Sequence, residues 1–136
     1  MKTRTNSSIL SALILAFLAL GAMQAQAIII YDHPVGITLG QTARVTAANT
    51  GTRAIIVSGT FLDSAGNVLG QFDRQVIEPG KMLSFDLNGD DIVRESNRIQ
   101  IRVVLTGDTF KGVVRSTEVF ENETGKTTVF IGNPDA

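Results

Sequence analysis

The chain has 136 residues and a formal net charge of −1, from 12 basic and 13 acidic residues, with neither cysteine nor tryptophan. That length accommodates one domain at most. Missing cysteine excludes disulfides, thiol catalysis and thiolate metal sites, and the scattered charge leaves no basic stripe to follow a nucleic-acid backbone.

The first 27 residues carry the three parts of a secretory signal peptide. Lys2 and Arg4 supply the positive start, and residues 9–20 are an apolar run. Residues 21–27 are a small-residue region in which Ala25-Gln26-Ala27 fits the A-x-A cleavage pattern. A membrane-spanning helix takes about 20 apolar residues, more than this run offers. An uncleaved N-terminal anchor is the rival reading, but a signal peptidase reads the region that follows the apolar run. No cysteine stands at the cleavage site, so a lipid anchor is excluded. Cleavage after Ala27 leaves 109 residues beginning at Ile28, with a net charge of −3 and no membrane span. The expectation is a protein exported by the general secretory route to the periplasm or the medium.

A domain of that size buries about two-thirds of its unfolded surface, enough for one core. Residues 28–36 read as an N-terminal segment holding a first strand, Ile28-Ile29-Ile30, then a break at Pro34 and Gly36 and a short strand at residues 37–39. Residues 42–49 alternate small inward residues (Ala43, Val45, Ala47) with Thr and Arg. Residues 53–62 place Ile55, Val57 and Phe61 on one face, interrupted by Gly59, which marks a bulge or a close approach. Asp63-Ser64-Ala65-Gly66-Asn67 is a hairpin turn with Gly66 in the left-handed region. In the return strand, residues 68–77, Val68, Phe72 and Val76 share a face.

Glu78-Pro79-Gly80-Lys81 turns the chain again. Residues 82–87 then point Leu83, Phe85 and Leu87 inward. Residues 88–97 are a polar crossover with one helical turn started by Asp90. Residues 98–106 form the most regular strand, and residues 113–121 and 126–131 a last hairpin around Asn122-Glu123-Thr124-Gly125. The phase between Val114 and Val119 suggests a bulge at Ser116 and Thr117. Residues 132–136 read as a tail. Seven or eight strands with closely spaced turns predict an all-β immunoglobulin-like antiparallel sandwich over residues 37–131, with a small closed barrel as the alternative.

The pieces Asn49-Thr50-Gly51, Gly66, Pro79-Gly80 and Phe85, spread over residues 42–87, resemble bacterial Ig-like modules of the CARDB type. The resemblance implies a sandwich fold and a role in adhesion. Residues 116–127 also resemble small exported bacterial proteins of unassigned function.

Five features invite a chemical reading. Asp86, Asn88 and Asp90 have the alternate spacing that opens a calcium loop, but Asp91 and Asn97 stand where a glycine and a bidentate carboxylate would complete it. The other reading is a turn at Asn88-Gly89 with Asp90 capping a helical turn. His33, the single histidine, cannot build a zinc site alone. Glu118, Glu121 and Glu123 could pair for glycoside chemistry, yet Glu118 and Glu121 fall on opposite strand faces and no tryptophan platform exists. Asn122-Glu123-Thr124 matches the glycosylation pattern, and its turn already calls for Asn. Ile28, Ile29, Ile30 and Tyr31 read as a first strand paired within the domain or lent to a neighbouring molecule.

The sequence therefore predicts a non-catalytic exported module without a cofactor. It would work through contacts with a protein or envelope component, with strand exchange through Ile28–Tyr31 or calcium-dependent binding as alternatives.

Overall fold

The computed structural model describes residues 26–133. Residues 1–25, Ala25 among them, and 134–136 lie outside the described residues, so of the expected leader only Gln26 and Ala27 are described. Nine strands follow one another: β1 (Ile28–Tyr31), β2 (Val35–Thr38), β3 (Gln41–Asn49), β4 (Ile55–Asp63), β5 (Val68–Ile77), β6 (Met82–Asn88), β7 (Arg98–Gly107), β8 (Val113–Glu121) and β9 (Thr127–Asn133). A single 3-10 turn, Gly89–Asp91, stands between β6 and β7.

Every pairing is antiparallel, and the strands form two open sheets, β1/β2-β7-β4-β5 and β6-β3-β8-β9. Strands β1 and β2 lie along opposite ends of β7, so nine strands occupy eight lateral positions. The molecule is the antiparallel β-sandwich expected, with nine strands where seven or eight were predicted, and its sheets are open where a barrel would close.

In the common immunoglobulin layout the second and fifth strands share one sheet, and the third and sixth share the other. The pairs β3–β6 and β4–β7 repeat that arrangement. The outer positions are exchanged. The N-terminal β1/β2 lies beside β7, where the last strand usually sits, and β8 lies beside β3, where the first usually sits.

The core lies between the sheets and follows the period-2 pattern. Ile55, Val57 and Phe61 of β4 and Ile101, Val103 and Leu105 of β7 face Ala43, Val45 and Ala47 of β3 and Val113 and Val119 of β8. At one lateral seam, Phe72 of β5 stacks on Phe85 of β6, with ring centroids 3.5 Å apart and planes within 5°. The Phe72 ring also meets Phe61 edge-on at 6.4 Å. Gly59 makes room for it: a Cβ there would run into the Phe72 ring and stand 2.9 Å from Leu105. Both readings of Gly59 hold, because the β4–β5 register also shifts between Val57 and Gly59.

Four local expectations are corrected. The second short strand is Val35–Thr38, so Gly36 lies inside it, paired with Gln100, where a break and a strand at residues 37–39 were expected. Two register shifts along β4–β5 split the face assigned to β5, so Phe72 and Ile77 turn inward while Val68 and Val76 stay exposed. The bulge placed at Ser116 and Thr117 is absent, since β3–β8 pairing runs unbroken from Gln41↔Glu121 to Asn49↔Val113. The shift lies instead between Val119 and Phe120, against β9. Strand β8 keeps its phase by turning Arg115 and Thr117 inward, where both are buried. The 3-10 turn is capped by Asn88, whose Oδ1 accepts from the Asp90 amide at 3.0 Å, in place of Asp90.

The Asn49 amide is buried and fully used. Its Nδ2 donates to the carbonyls of Arg53 (2.8 Å) and Ile77 (2.9 Å), and its Oδ1 accepts from the Gly51 amide at 2.9 Å. Its backbone amide donates to Lys81 O, and its carbonyl accepts from Gly80 N. One side chain thus ties the β3–β4 loop to the end of β5. We expect Asn49→Ala to cost about 3 kcal/mol, because buried carbonyls lose their donor, whereas Thr50→Ala on the exposed side costs about 1 kcal/mol or less. Urea unfolding with an unchanged m-value checks both.

Candidate functional site

The residues with chemical potential gather at two places. The first is the end of the sandwich where the β2–β3 turn, the 3-10 turn and the β8–β9 turn meet. Asp90 Oδ1 accepts from the Gly40 amide at 2.7 Å. Asn122 Nδ2 donates to Asn88 Oδ1 (3.0 Å) and Asp90 Oδ2 (3.1 Å), and its Oδ1 accepts from Thr42 Oγ1 at 2.6 Å. The Asn122 amide donates to Gly40 O at 2.8 Å, and Arg94 donates to Gly89 O. Asn88 and Asp90 thus fasten three loops together, with the Asn122 of the glycosylation pattern between them.

Asp86 belongs to a different surface. It lies on the outer face of β6, where its carboxylate takes two hydrogen bonds from Arg44, at 2.7 and 2.8 Å. Arg44 also stands 3.8 Å from Glu118 and 4.9 Å from the centre of the Phe120 ring. Carboxylate contact holds its guanidinium pKa above the usual value. The expected calcium trio is therefore distributed: Asn88 and Asp90 share the knot, while Asp86 pairs with Arg44. Among the described residues no group of three or more His, Asp or Glu side chains is placed to hold a metal ion. Glu118 points outward from β8, and Glu121 and Glu123 border an open depression of about 600 Å3 that Leu39, Gln41 and Asp90 also line.

The second place is the hinge between β1 and β2, which sequence reasoning missed. Asp32 continues the ladder by donating its amide to Val103 O at 2.9 Å, and its side chain turns into the sandwich to meet Arg115 of β8. Arg115 Nη1 donates to Asp32 Oδ1, and the two side chains are 5% and 6% exposed. Asp32 Oδ2 and Arg115 Nε have no partner among the described residues. Burial raises the Asp32 pKa above 3.8, against the opposing pull of Arg115 and, more weakly, His33. His33 itself is exposed, and Ser116, Thr117 and Ile131 complete the surroundings. The available signal was the phase of Val113, Arg115, Thr117 and Val119, whose strict alternation puts Arg115 on the core side.

Strand β1 pairs with β7 of its own chain, Ile28↔Gly107 through Tyr31↔Val104. Its Ile30 leans on the core, while Ile29 and Tyr31 project outward at 55% and 62% exposure. Arg102 lies 5.2 Å from the centre of the Tyr31 ring. Beside them a depression of about 310 Å3 is lined by the exposed Ala27 and by Ile56, Ser58, Arg74, Thr106 and Asp108. Ile56 pairs with the exposed Val76, which extends the apolar border across the sheet.

Removing one member of the buried pair exposes the cost of the other. We expect Asp32→Ala to lose about 3–5 kcal/mol, while the double change Asp32→Leu with Arg115→Met is near neutral or stabilising. The pH arm has a fixed sign. With the folded pKa raised, the stabilisation from protonating Asp32 is complete below the unfolded value and is lost as pH rises through the folded one. Asp32→Asn holds the neutral form, so in thermal melts its deficit against the parent protein narrows as pH rises from below the ordinary carboxylate range. No protein-family model matches the chain, and no curated protein matches it at a significant level.

Proposed function

We propose that this protein is an exported, non-catalytic module that acts through surface contact with another protein or envelope component. The observation that carries the reading is the outer face of the β1/β2-β7-β4-β5 sheet at its β1 end. Ile29, Tyr31 and Val76 are all more than half exposed there, around a depression floored by Ser58 and Thr106. Apolar and aromatic side chains with Arg74, Arg102 and Asp108 at their margins have the composition of a contact surface, where tyrosine and arginine concentrate binding energy. The polar residues that resembled ligand sets are engaged in loop tying and in the Arg44 pairing. A CARDB-like adhesion role is one form this contact activity could take.

The test is capture of partners from the envelope fraction of the producing cells by the purified protein. Tyr31→Ser combined with Val76→Lys, with melting unchanged, is expected to lower capture at least tenfold, about 1.4 kcal/mol of binding. Equal capture by the variant, or a turnover activity abolished by one carboxylate substitution, would overturn the reading.

A second reading has its own observation. Strand β1 fills the position that the common layout gives to a C-terminal strand, and Asp32-His33-Pro34 breaks it from β2. Such a strand suits a subunit that assembles by lending Ile28–Tyr31 to the β7 edge of the next molecule. Size exclusion of the protein with and without residues 28–31 decides it: assembly lost on deletion supports lending, and a monomer in both rules it out.

A further inference from the structure

A sandwich of two open sheets has four lateral edges, each a row of unpaired backbone groups that proteins usually blunt. Three are blunted here. The β1/β2 edge is broken into two four-residue pieces by Asp32-His33-Pro34. Strand β5 carries two register shifts together with Asp73 and Arg74. Strand β6 carries Asp86 and is crossed at its side by the Phe72–Phe85 stack.

Strand β9 has none of these devices from Val129 onward. Thr127–Asn133 reads Thr-Thr-Val-Phe-Ile-Gly-Asn, with no charge, no proline and four β-branched residues. Among the described residues no strand lies beyond it. Its one irregularity is near the turn, leaving Val129↔Val119 to Asn133↔Arg115 in continuous register.

We propose that β9 is a self-association edge, on which two copies of the chain pair Thr127–Asn133 with Thr127–Asn133 across a twofold axis. The occupant follows from the sequence of the strand. Antiparallel pairing of a seven-residue strand with itself, at full overlap, places its middle residue opposite itself. That residue is Phe130, 66% exposed on the outer face. Each Phe130 thereby gains the other as an aromatic cross-strand neighbour. The same register sets Val129 opposite Ile131 of the second copy, and both already pack against the edge of the core. The two four-stranded sheets become one of eight strands, and the two cores meet along their margins.

Charge agrees with the pairing. Along the row Asp86, Arg44, Glu118, Phe130, the acidic groups lie on either side of Arg44 and the uncharged residue stands at the edge. The Glu118 side chains of the two copies would then lie about three strand spacings apart, roughly 14 Å. This inference does not depend on the contact surface proposed above, which occupies the other sheet.

Sedimentation velocity on the protein expressed from its full sequence, from about 1 to about 100 µM, is the test. A dimer is expected, weakened at least tenfold by Phe130→Lys and retained when residues 28–31 are deleted. Because the chain has no cysteine, Phe130→Cys gives an independent reading. Residues facing across an antiparallel pair have Cα atoms about 4.5–5.5 Å apart, within disulfide reach. Oxidised Phe130→Cys is expected to run as a covalent dimer, and Gln71→Cys on the β5 edge as a monomer. A monomer at every concentration, a dimer indifferent to Phe130→Lys or lost with residues 28–31, or equal cross-linking at both cysteines would overturn the proposal.

Discussion

Arg115 carries a permanent positive charge into the buried space between the two sheets, and a charge in that position cannot stand alone. Asp32 is the answer, and the answer fixes more than one bond. It brings the N-terminal segment across from the β7 edge to reach β8 in the opposite sheet. It sets the point at which β1 ends and β2 begins. It also closes the lateral seam opposite the Phe72–Phe85 stack, so the two sheets are clasped by aromatic contact on one side and by an ion pair on the other. Apolar residues of the same volume would hold the sheets as firmly, so the buried pair is not explained by stability alone. What it adds is a unique position for a short strand whose own side chains are largely exposed.

The two ends of the sandwich are built on one device, an asparagine that bonds several backbone or side-chain groups at once. Asn49 does this at one end, and Asn88 with Asn122 at the other. Loops in a cysteine-free domain have no covalent tie, and short polar side chains supply the fastening instead. The same residues look like metal ligands or modification sites when read along the chain. Their hydrogen-bonding capacity is already directed at neighbouring loops.

Much of the architecture was legible. Strands with strict alternation, such as β6 and β7, could be placed on their faces directly. Turn chemistry located Gly66, Gly80 and Gly125, all of which take positive φ. What escaped was governed by partners far away in sequence. A bulge was expected at Ser116 and Thr117 because unbroken alternation would bury Arg115, and only Asp32, 83 positions earlier, accounts for an inward charge there. The face of β5 was misread because its phase is reset by bulges against β4. Asn49 looked like a turn residue, and it is one, but its burial depends on the end of β5 lying above it. The edge occupied by β1 likewise follows from topology, which periodicity does not encode.

The exchanged outer strands also govern when the molecule can fold. Strand β3 has no neighbour close to it in sequence: it pairs with β6 and β8, and Gln41 meets Glu121 some 80 positions on. Strand β1 waits for β7, and Asp32 waits for Arg115. The first sheet and the clasp between the sheets therefore cannot be completed until most of the chain is present, and such long-range pairing is slow. The β4–β5 hairpin and the short Pro79-Gly80 turn can form locally in the interval. A chain built in this way delays its own closure until its last strands arrive.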